Sequence, residues 1–273
     1  MNICFIGGGN MAYALIGGLL SKGYPAETLR VVEISPDNRE KLQRDFGVQT
    51  FENPAEGIAN SQVIVYAVKP QQLREVATQT AALQHGQLLI SIAAGVRAGD
   101  LAGWTGNSIV VRAMPNTPAL IGSGMTGLYA LPSVNADQRL QAQHILAAVG
   151  DTLWLEEESL LDAVTAISGS GPAYVFYFIE ALQQAAVELG LKATDARRLS
   201  LATFLGASKL AANSVEDASV LRARVTSKNG TTDRALASLS VNNVAAHIAL
   251  AAHAAAVRAC EMGDELGDKV AQS

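Results

Sequence analysis

The stretch Asn2-Ile3-Cys4-Phe5-Ile6-Gly7-Gly8-Gly9-Asn10-Met11-Ala12 decides the fold. Its apolar residues up to Ile6 predict a buried strand, and the glycines after it predict a turn that leads into a helix. Gly7, Gly9 and Ala12 match the G-x-G-x-x-G/A pattern. In that pattern the first glycine permits a tight turn, the second lets the backbone approach a pyrophosphate, and the small third residue lets helix pack on strand. A dinucleotide-binding loop is therefore favoured over an ordinary glycine-rich turn.

The next predicted strand, Arg30 to Ile34, carries the acidic residue Glu33 near its end. An acidic side chain at this place binds the ribose hydroxyls of the adenosine and repels a 2′-phosphate, which favours NAD. Ser35, Asn38 and Arg39 follow closely and can instead hold a 2′-phosphate. The sequence thus predicts an NAD(P)H cofactor, leans towards NAD through Glu33, and leaves the choice open.

The chain changes character near residue 155. Before it, short β-rich runs alternate with helical stretches, which predicts a mostly parallel, doubly wound α/β sheet of the Rossmann type. After it, alanine- and leucine-rich helical patterns predict an all-α region. Alanines crowd residues 249–256, a pattern typical of a helix packed closely on its neighbours, partly across a subunit interface. We expect a dinucleotide-binding domain over residues 1–157 and an all-α substrate and dimerisation domain over residues 158–273.

Composition excludes several classes of protein. The 273 residues are 49% hydrophobic and 16% charged, with a net charge of −5 and no basic run, so no nucleic-acid partner is expected. The apolar run Val63 to Val68 is too short to span a bilayer, so no membrane association is expected. The sequence shows no signal peptide, and two cysteines form no disulfide framework, which predicts a cytoplasmic protein. The four histidines show no metal-ligand spacing, so no metal is expected.

Small, polar or proline residues follow four of the predicted strands, as Gly7-Gly8-Gly9, Lys69-Pro70, Ala93-Ala94-Gly95 and Pro115-Asn116-Thr117-Pro118. Because ligands bind beyond the carboxyl ends of strands in an open α/β sheet, these segments predict one crevice. Lys69 either hydrogen-bonds a ribose or nicotinamide amide or is a surface lysine at a helix start. Asn116 lies either in a loop held close to the ligand or in an ordinary proline-rich turn.

Two polar segments interrupt the helical half. In Ser168 to Tyr174, Pro172 suits the first position of a helix, which leaves backbone amides near Gly171 available to a ligand. In Val225 to Ala235, hydroxyl side chains lead into a helix whose N-terminus can bind an anion such as a substrate carboxylate. A simple helix cap explains the second segment equally well.

The chain resembles the Δ1-pyrroline-5-carboxylate reductases over nearly its whole length. The segments that carry the resemblance are Gly7 to Met11, Ala67 to Pro70, Ser91 to Gly95, Met114 to Pro118, Ser168 to Tyr174 and Val225 to Thr232. The sequence departs from the family at Lys228-Asn229, where Pro-Gly is usual. The resemblance implies the last step of proline synthesis, in which NAD(P)H gives hydride to the C=N carbon of pyrroline-5-carboxylate. It also implies a homodimer or a higher homo-oligomer built from dimers.

The resemblance also implies roles for individual residues. Ser227, Gly230, Thr231 and Thr232 hold the substrate carboxylate, with Gly171 nearby, and Thr232 lies at the imine as the catalytic residue. Combined with the strand-end reasoning, it gives the predicted cofactor contacts Ile6, Gly7, Gly8, Gly9, Asn10, Met11, Glu33, Ser35, Asn53, Ala67, Val68, Lys69, Pro70, Ala93, Ala94, Gly95 and Asn116.

Two alternatives stay open at this point. The first is a β-hydroxyacid reductase or another imine reductase on the same architecture. Hydroxyacid enzymes of this type usually place a lysine near the substrate, and Lys192, Lys209 and Lys228 are the local candidates without a supporting motif. A regulatory nucleotide sensor is the second alternative, and it predicts cofactor binding without turnover of any imine.

Overall fold

An eight-stranded sheet in the order β3-β2-β1-β4-β5-β6-β7-β8 organises the N-terminal part of the chain. The computed structural model describes residues 1–267. The strands are β1 Ile3–Ile6, β2 Leu29–Val32, β3 Gln49–Phe51, β4 Val63–Tyr66, β5 Leu88–Ser91, β6 Val110–Met114, β7 Gly124–Ala130 and β8 Gly150–Trp154. Neighbouring strands are parallel, except that β7 runs antiparallel to β6. The expected mostly parallel, doubly wound sheet is confirmed.

Both faces of the sheet are covered, which explains why its central strands are apolar throughout. In β1, Ile3 and Phe5 pack into one core cluster, and Cys4 and Ile6 pack into the other. Burial raises the pKa of the Cys4 thiol to about 12, so this cysteine is a small apolar core residue. A strand buried on both faces has no polar face, as the runs in β1 and β4 show.

Helices connect most of the strands and make up most of the described chain beyond Trp154. They are α1 Asn10–Ser21, α2 Pro36–Phe46, α3 Pro54–Ile58, α4 Pro70–Thr80, α5 Ala98–Thr105, α6 Ala136–Leu146, α7 Leu160–Val164, α8 Gly171–Glu188, α9 Ala193–Ala212, α10 Ala218–Arg224, α11 Thr231–Val241 and α12 Val244–Leu266. In residues 1–267 no single helix has the length and apolar composition of a membrane span. Helices α11 and α12 meet both criteria only as a pair bent by 53°.

The structure differs from the sequence-based expectation at some element ends. Strand β2 stops at Val32, so Glu33 lies just beyond it and not inside a strand reaching Ile34. Helices α3 and α5 were not expected, because α3 is only one turn long and α5 contains two glycines, which are poor helix formers. The expected helix at Leu160 to Ile167 is α7 followed by a π-helical turn at Thr165–Gly169.

Internal contacts divide the chain into two units. The sheet unit contains Met1–Ser170 and the residues from Ala254 onward, and the helical unit is Gly171–His253. The all-α character of the C-terminal part is confirmed for the described residues beyond Trp154. The division at residues 157 and 158 stays a prediction.

The helical unit has almost no interior of its own. Among its residues only Ala196 and Ser200 are buried. Large apolar side chains stand exposed along its helices, including Phe176, Tyr177, Leu189, Leu199, Leu205, Leu210 and Val241. Exposed apolar side chains in this number are typical of a surface that another molecule covers. The unit is therefore expected to depend on a second subunit for its stability.

This dependence predicts a melting temperature that varies with protein concentration. Because unfolding then separates subunits, mass action favours the folded state as concentration increases. We expect the melting temperature to rise by roughly 1 °C for each tenfold increase, given the unfolding entropy of a dimer of this size. Calorimetry over three decades of concentration measures this. A constant melting temperature, with a monomer found by sedimentation, would contradict the expectation.

Candidate active site

The turn after β1 is shaped by a close approach of two backbones. Gly7 has φ 101°, a left-handed conformation that side-chain-bearing residues rarely adopt. Its N–H donates to the carbonyl of Val32 at 2.8 Å. A Cβ at this position would lie 2.8 Å from the carbonyl oxygen of Ala67, which follows β4. Only glycine therefore fits the seam between β1 and β4.

The start of α1 faces open space. A Cβ on Gly9 would have no atom within 4 Å, and no side chain caps the helix. The first amides of a helix have no acceptor inside it, so those of Asn10, Met11 and Ala12 are available to an anion. Ala12 itself is fully buried, as expected for the small third residue of the pattern. These features fit the diphosphate of a dinucleotide.

Glu33 links the end of β2 to the glycine turn. One carboxylate oxygen accepts the N–H of Gly8 at 2.7 Å, and the other accepts the N–H of Ser35 at 2.8 Å. Arg39 donates to the carbonyl oxygens of Glu33 and Ile34 at 2.7 and 3.0 Å. The acidic group is thus held in place by backbone amides, with its charge not neutralised by an ion pair with Arg39.

A cleft of about 370 Å³ opens at the carboxyl ends of β1, β2 and β4. Seven of the predicted cofactor residues line it, namely Ile6, Gly7, Gly9, Glu33, Ala67, Val68 and Lys69. The other predicted cofactor residues lie outside this lining: Gly8, Asn10, Met11, Ser35, Asn53, Pro70, Ala93, Ala94, Gly95 and Asn116. Two of the four predicted strand-end segments, the glycine turn after β1 and the residues after β4, therefore contribute to this cleft.

The cleft also has lining residues that the sequence analysis missed: Val32, Ile34, Glu52, Pro54, Gln72, Val76 and Gln79. Gln72, Val76 and Gln79 share one face of α4 through their i, i+4, i+7 spacing, a signal that was available in the sequence. Glu52 pairs with Arg39 at 3.1 Å, a contact between distant segments that no local pattern indicates.

Two predicted contact residues hold local structure. Asn53 accepts the N–H of Ala55 at 2.9 Å and so caps α3. Asn116 donates to the carbonyl of Ser168 at 3.0 Å and accepts the N–H of Met125 at 2.9 Å. Both side chains fix the turns in which they lie, and their contact with a cofactor stays a prediction.

In the helical unit, the turn before α11 offers a second set of free amides. Gly230 precedes the helix without a side-chain cap, so the first amides from Thr231 onward have no acceptor inside the helix. A Cβ on Gly230 would lie 2.5 Å from the hydroxyl oxygen of Ser227. Thr232, in the first turn, is half-buried. Hydroxyls and amides at this turn can together hold a carboxylate.

The turn before α11 keeps its backbone shape although Lys228-Asn229 replaces the Pro-Gly that is usual in the family. Asn229 has φ 61°, and asparagine is among the few residues with a side chain that tolerate this region. Its N–H donates to a carboxylate oxygen of Asp233 at 2.9 Å. The turn therefore forms with asparagine in the position where the family usually has glycine.

Gly171 begins α8, directly after the π-helical turn. One turn further on, the phenol oxygen of Tyr174 is buried and has no hydrogen-bond partner within residues 1–267. Buried polar atoms normally have a partner, so this hydroxyl is suited to a polar ligand or water. The sequence pattern indicates this segment as a binding element through its backbone amides but does not single out this side chain.

Comparisons with known proteins agree with this geometry. Residues 158–262 match a family model described as pyrroline-5-carboxylate reductase dimerisation, and residues 2–95 match one described as NADP oxidoreductase, coenzyme F420-dependent. A pyrroline-5-carboxylate reductase of Pseudomonas aeruginosa is 45% identical over 97% of this chain and 98% of its own length. A solved reductase of this kind from Coxiella burnetii gives a TM-score of 0.91 at 39% identity, covering 96% of this chain and 98% of that one. One from Plasmodium falciparum, with NADP bound, gives 0.85 at 29% identity, with the same coverage of both chains.

Replacing Gly9 with alanine is expected to weaken dinucleotide binding without lowering stability. The added methyl group meets no protein atom but occupies the space through which a diphosphate approaches α1. We expect the dissociation constant for NADH or NADPH to rise at least about tenfold, or about 1.4 kcal/mol. Fluorescence titration measures it, and thermal unfolding checks the fold. Gly103→Ala, an exposed glycine of α5 with no atom near its Cβ position, is the matched control. Equal affinities of the two variants would remove Gly9 from the site.

Proposed function

The chain belongs to the pyrroline-5-carboxylate reductase family, and from this premise we propose that it reduces the C=N bond of 1-pyrroline-5-carboxylate to give L-proline, the last step of proline biosynthesis. The single observation that carries the proposal is the cleft at the carboxyl ends of β1 and β4, which is lined by the glycine turn that follows β1. It has the shape and the free amides that a nicotinamide dinucleotide requires. The family assignment disfavours the hydroxyacid reductase and the nucleotide sensor considered above.

The reduced dinucleotide, when bound, supplies the hydride. Gly9 and the first amides of α1 would hold its diphosphate, and Glu33 would accept hydrogen bonds from the adenosine ribose. The face of α4 that lines the cleft would contact the adenosine part. Lys69 lies in the same lining and would donate to a ribose hydroxyl or an amide oxygen.

The substrate needs little activation by the protein. A protonated cyclic imine is already an electrophile, so orientation can supply most of the catalytic effect, up to about 7–11 kcal/mol. We assign the carboxylate of the substrate to the hydroxyl of Ser227 and the amides that follow Gly230. The hydroxyl of Thr232 would donate to the ring nitrogen as hydride addition to the carbon gives that nitrogen a lone pair, and it would hold the ring in place. Tyr174 is a further donor for the same ligand.

We also propose that NADH is preferred over NADPH. The carboxylates of Glu33 and Glu52 both line the cleft, and they would repel a 2′-phosphate. The cation that could attract one, Arg39, already binds Glu52 and two backbone carbonyls. The relative solved with NADP bound is 29% identical to this chain.

A homodimer is the assembly that the surface supports best. The match to the dimerisation model covers the helical unit, and this unit exposes the apolar side chains that a subunit interface buries. A higher oligomer built from such dimers and a cytoplasmic location stay predictions. The two free cysteines, Cys4 and Cys260, fit a reducing compartment.

The direct test of the function follows NADH and NADPH oxidation separately, with pyrroline-5-carboxylate as the substrate. Thr232→Ala is expected to lower kcat/KM by about two orders of magnitude, because it removes a hydrogen bond at the reacting nitrogen. Dinucleotide affinity should stay unchanged, and Thr232→Ser should restore most of the rate. Wild-type kinetics in Thr232→Ala would remove this residue from the site. Absence of imine turnover in the wild-type protein would refute the function itself.

Glu33→Gln is expected to shift cofactor preference towards NADPH. The amide keeps one acceptor oxygen for the N–H of Gly8, loses the acceptor for the N–H of Ser35, and removes the negative charge that would face a 2′-phosphate. We expect the ratio of kcat/KM for NADH to that for NADPH to fall by about tenfold, equivalent to about 1.4 kcal/mol. Glu40→Gln, an exposed charge on α2, controls for a general change in charge. If the NADH-to-NADPH ratio of kcat/KM changes equally in Glu33→Gln and Glu40→Gln, Glu33 does not select the cofactor.

A further inference from the structure

The loop after β5, Ala93–Gly95, is covered by the last turns of α12. Gly95 has φ 77°, and a Cβ there would lie 3.0 Å from the Cβ of Met262 and 3.2 Å from a methyl group of Leu266. Ala93 is buried in the same core cluster against which Leu266 packs. All these residues belong to the sheet unit. The C-terminal turns of α12 therefore pack on the backbone of a loop predicted to contact the cofactor.

An ion pair ties the two segments together. Arg97, just after the loop, donates to a carboxylate oxygen of Asp264 at 2.5 Å. The hydrogen bond to Asp264 raises the pKa of Arg97, and burial acts in the opposite direction. On the same helix face, a Cβ on Gly263 would lie 3.2 Å from two nitrogens of the Arg97 guanidinium. Because Gly263 has no side chain, the guanidinium of Arg97 can lie against α12 at this position.

The other side of the loop is held by Glu158. Its carboxylate accepts the N–H of Ala98, the first residue of α5, at 2.7 Å and binds Arg112 at 3.0 Å. Arg112 is almost fully buried in β6 and also lies 3.8 Å from Asp162. Because Glu158 accepts the first amide of α5, that amide is not available to a ligand.

We propose that Asp264 and Gly263, through Arg97, are positioning residues that set the loop Ala93–Gly95 for dinucleotide binding. The proposal rests on the proposed function, because it takes that loop as part of the cofactor site. It assigns to the end of α12 a role in cofactor affinity, although these residues do not line the cleft.

The balance of energies favours positioning over general stabilisation. The side chains of Arg97 and Asp264 are 43% and 67% exposed, and ion pairs this exposed contribute little to global stability. A glycine inside a helix weakens it relative to alanine. The chain thus has a helix-weakening residue where a methyl group would push against the arginine that borders the loop.

Asp264→Asn tests the ion pair, and Glu261→Gln is its matched control. Glu261 lies on the same helix and pairs with Arg258 at 3.0 Å, and both side chains are 53% exposed. We expect Asp264→Asn to raise the dissociation constant and KM for NADH about two- to fivefold, the range of one exposed ion pair, with kcat nearly unchanged. The control should leave both values at the wild-type level. Equal cofactor affinity in the two variants overturns the proposal.

Gly263→Ala separates positioning from stability because the two effects have opposite signs. Alanine strengthens the helix, so the melting temperature should stay the same or rise, while displacement of Arg97 should weaken NADH binding. In a double variant with Arg97→Met, the effect of Asp264→Asn on affinity should vanish. A Gly263→Ala protein with wild-type affinity overturns the proposal. A wild-type protein that binds no dinucleotide would instead refute the proposed function, which makes the two failures distinguishable.

Discussion

The structure depends on one close approach, between Gly7 and the backbone that follows β4. The chain leaves β1 towards β2 and β3 on one side of the sheet and returns to β4 on the other. Strand order therefore reverses at the β1–β4 seam, and a crevice forms there because the two connections diverge. With no Cβ at Gly7, the turn is tight enough to point the start of α1 into that crevice. Fold and binding site have the same geometric origin.

Glu33 connects this turn to the chemistry of the ligand. Its carboxylate satisfies the amide of Gly8, so the shape of the glycine turn depends on an acidic side chain at the end of the neighbouring strand. The same carboxylate lines the cleft in which we propose that the adenosine ribose binds. A substitution of Glu33 made to change cofactor preference therefore also removes or alters a hydrogen bond that holds the glycine turn. Glutamine, which keeps an acceptor oxygen, separates these two roles better than alanine does.

The features that local sequence patterns encode could be predicted from the sequence. The Gly7 to Ala12 pattern identified the first turn, and the strand ends brought Ala67, Val68 and Lys69 to the same cleft. The antiparallel pairing of β7 and the short helices α3 and α5 escaped it, because nothing local specifies strand direction and glycines weaken the signal of a short helix. The pairing of Arg97 with Asp264 also escaped it, since it joins residues 167 positions apart. Such contacts depend on tertiary packing, which a single sequence does not display.

The proposed substrate-binding turn before α11 belongs to the helical unit, which buries few residues within its own chain. Only Ala196 and Ser200 are buried there, whereas both faces of the sheet carry extensive cores. Helices without a core owe their stability to whatever covers their apolar faces. Separation of the subunits would then disturb the turn around Gly230 and Thr232 before it disturbs the dinucleotide cleft. Substrate binding should accordingly depend on assembly, whereas the residues proposed to bind the cofactor all belong to the sheet unit.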